Sequence, residues 1–270
     1  CNTHSSFKDK VYMSNLCQEI TLPTTPVQHI DDKEGEIALC ILSAINLGLL
    51  TDMNELEELC DLSVRALDEI IDYQEYPVEA AKKSTEARRS LGIGYIGLAH
   101  FLAKNKVKYD DKQAWKLVDE ITEAFQYYLL KASNTLAKER GACEYFDKTK
   151  YSDGILPIDS YKKDVDTLVK RKLSYDWNTL RENIKSSGLR HSTLSAQMPS
   201  ESSSVVSNAT NGVEPPRDFL SIKKSKKGTL KQIVPDYNRL KNFYTLLWDM
   251  KSNEGYITVF LLCRNILTRQ

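Results

Sequence analysis

The segment Met13-Ser14-Asn15-Leu16-Cys17-Gln18-Glu19-Ile20 places an amide, a thiol and a carboxylate at alternate positions. In an extended segment alternate side chains share a face. Asn15, Cys17 and Glu19 would then line one edge, and Leu16, Gln18 and Ile20 the other. Such an edge could bind a polyol, run one-electron or nucleophilic chemistry on sulfur, and take a proton. The same residues also read as a polar loop with an incidental cysteine, and the spacing alone leaves both open.

Two further stretches carry phosphate-binding chemistry in principle. Pro199-Ser200-Glu201-Ser202-Ser203-Ser204 follows an apolar run. Hydroxyls and successive N–H groups at a strand-to-helix turn suit a phosphate or another anion, although a solvated serine-rich loop has the same composition. Gly92-Ile93-Gly94-Tyr95-Ile96-Gly97 is a literal G-x-G-x-x-G. It is preceded by the basic, helix-like Lys82–Arg89 rather than by an apolar first strand, so it reads better as a strand-to-helix turn with glycines for packing than as a dinucleotide site.

The remaining candidates are weaker. Cys40 lies in an apolar run and Cys60 on an apolar helix face, where cysteine is commonly a small core residue. Cys143 and Cys263 have no supporting neighbours. His4, His29, His100 and His191 are scattered without metal-ligand spacing, so no metal site is expected. Lys223, Lys224, Lys226 and Lys227 read as a solvated turn, and Tyr127 and Tyr128 as packing residues on a long helix.

Composition bounds the class. The chain has 270 residues, with 37 basic and 37 acidic side chains. This balance argues against charge-driven nucleic-acid or membrane binding. No apolar run reaches the length of a membrane span. Six cysteines without a C-x-x-C pair suit a reducing compartment better than a disulfide scaffold or a zinc site. The polar start at Cys1-Asn2-Thr3-His4, with no initiator Met, is expected of a chain beginning inside a longer protein.

The elements that must position these residues follow from periodicity. Residues 1–32 read as a loop, Glu36–Leu42 as a buried strand, and Met53–Asp72 as a helix with an Asp52–Glu55 capping box. A helix opens at Pro77 and runs to Arg88. Ser90–Gly94 reads as a strand and Tyr95–Ala103 as a helix. Lys112–Arg140 is the longest helix, stopped by Gly141. Residues 142–160 form a loop. Short helices are expected near 161–171 and 177–186, strands at 192–198, 219–223 and 230–234, and a helix from Asp236 to Met250. Strands alternating with helices predict a helix-rich α/β fold with a largely parallel sheet.

Several blocks occur together in a fixed order: Cys1-Asn2-Thr3-His4-Ser5, Ser14-Asn15-Leu16-Cys17, Gly35-Glu36-Ile37-Ala38-Leu39-Cys40 and Arg89-Ser90-Leu91-Gly92-Ile93-Gly94. They continue with Gln126-Tyr127-Tyr128-Leu129-Leu130-Lys131-Ala132-Ser133-Asn134, Gly154-Ile155-Leu156-Pro157-Ile158-Asp159 and the run Ser207-Asn208-Ala209-Thr210-Asn211-Gly212-Val213-Glu214-Pro215-Pro216-Arg217. In these the chain resembles the C-terminal half of the large (alpha) subunit of class I ribonucleotide reductases, most closely those of aerobic bacteria and phages.

The resemblance implies part of a ten-stranded α/β barrel over residues 1–256, with residues 12–24 as a finger loop inside it. It implies that Cys17 becomes the thiyl radical that takes hydrogen from the ribose 3′ carbon. Glu19 would accept the 3′-hydroxyl proton, and Asn15 would hydrogen-bond the sugar. Cys40 would be one of two reducing thiols. Pro199, Ser200, Glu201, Ser202 and Ser203 would cradle the diphosphate of a ribonucleoside diphosphate, with Ser202 standing where close relatives often carry Thr.

It further implies a metal-containing small (beta) subunit that supplies the radical, the N-terminal half of the large subunit, which binds ATP and deoxynucleotide effectors and carries the partner of Cys40, and thioredoxin or glutaredoxin as reductant. The setting would be cytoplasmic, with no cofactor held by this chain itself. Residues 257–270 do not resemble the family and are expected to be a divergent tail, and the chain alone is expected to be inactive unless complemented. A nonfunctional fragment or interaction module, and a nicotinamide-dependent oxidoreductase built on Gly92–Gly97, are the alternatives.

Overall fold

In the computed structural model, residues 6–160, 162–170, 172–226 and 228–267 are described. The block Cys1–Ser5, Lys227 and residues 268–270 lie outside them. The core is organised around one long helix, α4 (Lys112–Arg140), whose bounds match the sequence expectation and which ends at Gly141 with φ 88°. That left-handed stop needs a residue without a Cβ. The inward stripe of α4 includes Trp115, Val118, Ile121, Phe125, Leu129 and Leu136, all buried. Against it pack α1 (Glu55–Tyr73), through Leu56, Cys60, Val64, Leu67 and Ile71, and α9 (Glu254–Ile266), through Val259 and Leu262.

The Asp52–Glu55 capping box does not form. Asn54 stands at the N-cap without a side-chain bond. Asp52 instead accepts from the Asn54 N–H at 2.9 Å, and Glu55 accepts from the Thr51 N–H at 3.2 Å. The acidic side chains therefore fold the approach to the helix, while Glu55, Glu57 and Glu58 still complement its positive end.

The sheet that matters for the site is small. β1 (Ile41–Asn46) and β2 (Leu91–Ile96) are parallel, paired from Ile41–Leu91 to Asn46–Ile96. Every residue of β2 is buried. The connection includes α1 and α2 (Glu79–Arg88), as a parallel pair requires a crossover. β1 starts five residues later than the expected Glu36–Leu42 strand. Glu36 bridges back to Thr25 and the Ile37 N–H donates to the Ala80 carbonyl, so residues 36–40 cross α2 before the ladder begins.

Likewise 192–198 forms no strand of its own, only a parallel bridge between Ser195 and Ile93. Hydrogen bonds from Leu91 N–H to Thr193 O at 3.1 Å, from Ile93 N–H to Leu194 O at 2.7 Å and from Ala196 N–H to Ile93 O at 3.0 Å still lay it along the second edge of β2. After β2, α3 (Leu98–Lys104) begins at Gly97, φ 77°.

α5 (Asp166–Val169) and α6 (Trp177–Ser187) follow α4, and α6 stops at Gly188. α7 (Glu201–Val206) is a short helix within the serine-rich run. β3 (Leu220–Ser225) and β4 (Gly228–Ile233) form an antiparallel hairpin close to the expected bounds. The helix expected over 236–250 shrinks to α8 (Tyr237–Leu240). Its continuation is diverted into tertiary bonds, with Leu247 N–H donating to Pro216 O at 2.9 Å and Tyr109 N–H to the Thr245 hydroxyl at 3.2 Å.

The described residues thus form a helix-rich structure with two two-stranded sheets. They contain no closed barrel. No helix among them is long and apolar enough to cross a membrane.

Candidate functional site

The segment carrying Cys17 is not extended. It is a tight turn, with Asn15 N–H donating to Ile20 O and Gln18 N–H to Asn15 O, both at 3.1 Å, and Gln18 at φ 61°. The Asn15 side chain closes the turn by accepting from the Ile20 N–H at 3.1 Å. An Asx carbonyl satisfying a nearby backbone N–H is a common turn device. The alternation expected from an extended strand therefore fails, and Asn15 does not share a face with Cys17 and Glu19.

Instead the turn stands between two cavities. One, of about 350 Å³, is lined by Cys17 and Glu19 together with Gln197, Pro199, Ser200 and Asn211, and is closed on one side by α9 through Phe260 and Cys263. The other, about 710 Å³ and mostly apolar, is lined by Asn15 and Cys40 with Tyr12, Met13, Ile20 and Leu22. Cys17 is exposed at the tip of the turn. Ile20 is buried at its base and anchors it in a small cluster with Phe7, Leu22 and Ala196.

The two cavities communicate electrostatically. Burial pushes the Cys40 thiol well above its ordinary range, and the nearby Glu19 charge pushes it further. Glu19 Oε2 is buried without a hydrogen-bond partner, and so is Gln197 Oε1. An unmet buried acceptor costs about 1–3 kcal/mol, so two of them on one cleft favour a ligand that brings donors.

Of the phosphate candidates, Pro199 and Ser200 line the cleft. Ser200 is the N-cap of α7 and its hydroxyl donates to Asn211 Oδ1 at 3.2 Å. Glu201 lines an adjoining cavity and pairs with Lys223 at 3.2 Å. Ser203 turns its hydroxyl back onto the Ser200 carbonyl at 3.1 Å, and Ser202 is exposed. Asn211, Glu214 and Gln197 were not singled out from sequence. Asn211 Nδ2 donates to Glu214 Oε2 at 3.1 Å, and the polar cluster in the Ser207–Arg217 run was the available signal.

The glycine run serves packing. A Cβ on Gly92 would sit 2.9 Å from Cys40 Sγ and 3.0 Å from Ile20 Cδ1. One on Gly94 would sit 2.4 Å from the Ala196 carbonyl oxygen. The chain itself fills the space that a pyrophosphate would need.

Cys60 is core, as expected. Cys143 is buried and its thiol is pushed up to about 12 by burial. Cys263 does have a partner, contrary to expectation, because the buried Tyr95 hydroxyl donates to its Sγ at 3.1 Å. Two histidines also have partners: His191 lies between Asp68 and Ser133, and His100 lies 3.3 Å from Asp236. No group of three or more His, Cys, Asp or Glu suited to a metal ion occurs among the described residues.

An exposed thiol beside a carboxylate with an unmet acceptor, facing a serine at a helix start, defines a thiol-bearing ligand cleft on a helix-rich α/β scaffold. Known proteins make the class specific. Residues 1–255 match the family model for the ribonucleotide reductase barrel domain. The chain is 57% identical to the ribonucleoside-diphosphate reductase subunit alpha of Buchnera aphidicola subsp. Schizaphis graminum, covering 99% of this chain and 35% of the relative. It is 61% identical to the subunit of the same name from Haemophilus influenzae, over 95% of this chain and 34% of the relative. For the subunit from Enterobacteria phage T4 the identity is 46%, over 93% and 33%. The chain belongs to the ribonucleotide reductase barrel-domain family. It spans about a third of the length of these curated relatives.

Proposed function

We propose that this chain carries the central part of the active site of a ribonucleoside-diphosphate reductase large subunit, within a ten-stranded barrel completed by sequence outside residues 1–270. The observation that carries the proposal is the meeting of Cys17, Glu19, Pro199 and Ser200 around one cleft of about 350 Å³.

In this reading the Cys17 thiyl radical takes a hydrogen atom from the ribose 3′ carbon while Glu19 takes the 3′-hydroxyl proton. Cys40 and a second thiol, from the N-terminal half of the large subunit, supply two electrons. They become a disulfide as one ribose hydroxyl leaves as water. A contact from Asn15 to the sugar would use its side-chain N–H groups, since its carbonyl accepts from the Ile20 N–H. The diphosphate lies at Pro199–Ser203, where the first N–H groups of α7 have no intrahelical acceptor. Three carboxylate and guanidinium side chains line this cleft, those of Glu19, Glu214 and Arg264. Hydroxyls and backbone N–H groups, rather than a cluster of cations, are therefore proposed to hold the phosphates.

The proposed partners are a metal-containing small subunit that generates the radical and thioredoxin or glutaredoxin, which reduces the disulfide. ATP and deoxynucleotide effectors are proposed to bind the N-terminal half, and the setting is proposed to be cytoplasmic.

The test is deoxynucleotide formation by the chain mixed with the small subunit, with and without an N-terminal large-subunit fragment. Product is expected only in the complete mixture. Cys17→Ser should abolish it while leaving nucleoside diphosphate affinity within about twofold, because the radical position contributes little ground-state binding. Turnover by the isolated chain would overturn the need for complementation. An active Cys17→Ser mixture would overturn the assignment of the radical.

A further inference from the structure

The edge of β2 assigns a role to a side chain that the active-site proposal leaves unused. Residues 193–196 dock on β2 through successive backbone bonds to Leu91 and Ile93. At the next carbonyl, Tyr95 O, the partner is not a backbone N–H but the Gln197 side chain, whose Nε2 donates at 2.8 Å. A carbonyl can only accept, so the amide must turn its N–H toward Tyr95 and its oxygen away from the strand. The segment lies tight against the strand, because Gly94 lets the Ala196 carbonyl approach to within 2.4 Å of where a Cβ would stand. The result is a pinned amide whose Oε1 is buried with no hydrogen-bond partner, on a residue lining the cleft between the Cys17 turn and Pro199.

We propose that Gln197 is a binding residue of this cleft, with Oε1 accepting a hydrogen bond from a sugar hydroxyl of the bound nucleotide. The inference rests on the active-site reading above, which puts the reacting sugar carbon at Cys17 and the diphosphate at Pro199–Ser203. Gln197 lines the same cleft as Cys17, Pro199 and Ser200. An ionised diphosphate offers no donor and neither does the Glu19 carboxylate, whereas the sugar hydroxyls do.

The test is calorimetric titration of the 270-residue chain with cytidine diphosphate, uridine diphosphate and inorganic pyrophosphate, for the native protein and for Gln197→Leu, which has similar bulk and no acceptor. The variant should bind both nucleotides about five- to tenfold more weakly, as expected for loss of one hydrogen bond, with pyrophosphate affinity unchanged. Pyrophosphate also reports whether the cleft survives the substitution. Equal weakening of pyrophosphate would overturn the proposal by showing that Gln197 only shapes the cleft. Nucleotide affinities unchanged within twofold would overturn it, and a loss confined to one base would move the donor to the base. If the native chain binds pyrophosphate but neither nucleotide, or binds none of the three, the active-site reading itself falls and this inference with it.

Discussion

At the scale of single residues, the five cysteines among the described residues occupy very different surroundings. Cys17 is exposed on a turn, whereas Cys40 is half-buried beside Glu19 and Cys60, Cys143 and Cys263 are buried. Thiolate, not thiol, reacts with alkylating reagents. Burial pushes Cys143 up to about 12 and Cys263 up to about 11, the latter despite the hydrogen bond from Tyr95. Iodoacetamide near neutral pH should therefore modify Cys17 first, while Cys40, whose thiol burial and Glu19 push up further still, and the three buried thiols should stay unreacted until the chain unfolds. Peptide mass spectrometry over time would measure this order, and early labelling of Cys143 or Cys263 would contradict the structure. The types at 15, 17 and 19 were readable as reactive, but their common face was not. The alternation argument assumes an extended backbone, and the Asn15 side chain bends that backbone by taking the Ile20 N–H.

At the scale of elements, β2 is the platform of the site. Its glycines place neighbours rather than ligands, with Gly92 under Cys40 and Gly94 under Ala196. Gly94→Ala would force a methyl against a backbone oxygen that cannot swing aside. It should cost about 1–3 kcal/mol, the usual range for overpacking, and displace residues 195–198. A lowered urea midpoint together with weaker nucleotide binding would be the signature. Gly92→Ala meets side-chain atoms instead, Leu42 Cδ2 at 2.6 Å and Cys40 Sγ at 2.9 Å, so it should shift Leu42 and alter Cys40 reactivity. The α4 bounds and the β3–β4 hairpin were legible because each is set locally, by a long 3.6-residue stripe with a terminal glycine and by two short strands flanking a turn. The helix expected over 236–250 was not, because Pro216 and Tyr109 compete for its polar groups from outside the segment.

At the scale of the whole molecule, a buried ionic cluster joins α1, α2, α4 and the segment that enters the cleft. Asp68 is wholly buried and accepts from Arg89 at 2.6 Å, Arg190 at 3.2 Å and His191 at 3.1 Å, while Arg89 also grips Asp72 at 2.7 and 2.9 Å. Burial alone would raise the Asp68 carboxyl, but the hydrogen bonds from His191 and Arg89 outweigh it and hold the group below its usual range. Asp68→Ala would leave Arg89 with Asp72 alone of its two carboxylate partners and the buried His191 Nε2 without its acceptor, and should cost about 3–5 kcal/mol, the range for breaking a buried ion pair.

Burial also holds His191 below its ordinary 6.5, against the pull of Asp68. The unfolded chain then protonates first, so stability should fall as pH drops through about 6.5, and fall again below about 3.8 as Asp68 follows. Denaturation midpoints between about pH 7.5 and about pH 5.5 should decline, and His191→Gln should make that slope shallower. An unchanged slope would remove His191 as its source. His100, also lowered by burial, should contribute in the same direction.

The sequence by itself determined the residue types at the site, the long helix, the hairpin and the family, because these are written in local patterns and ordered blocks. Only the tertiary structure decided how the site divides. Cys17 and Glu19 face Pro199 and Ser200 across one cleft, while Asn15 and Cys40 line another. It also decided that α9, which begins at the end of the stretch matching the family model and runs past it, packs on α4 and lines that cleft with Cys263. The physical reason is that a backbone N–H or a buried carbonyl takes whichever partner the fold brings near. Gln197 and Tyr95 each found partners far from them in sequence.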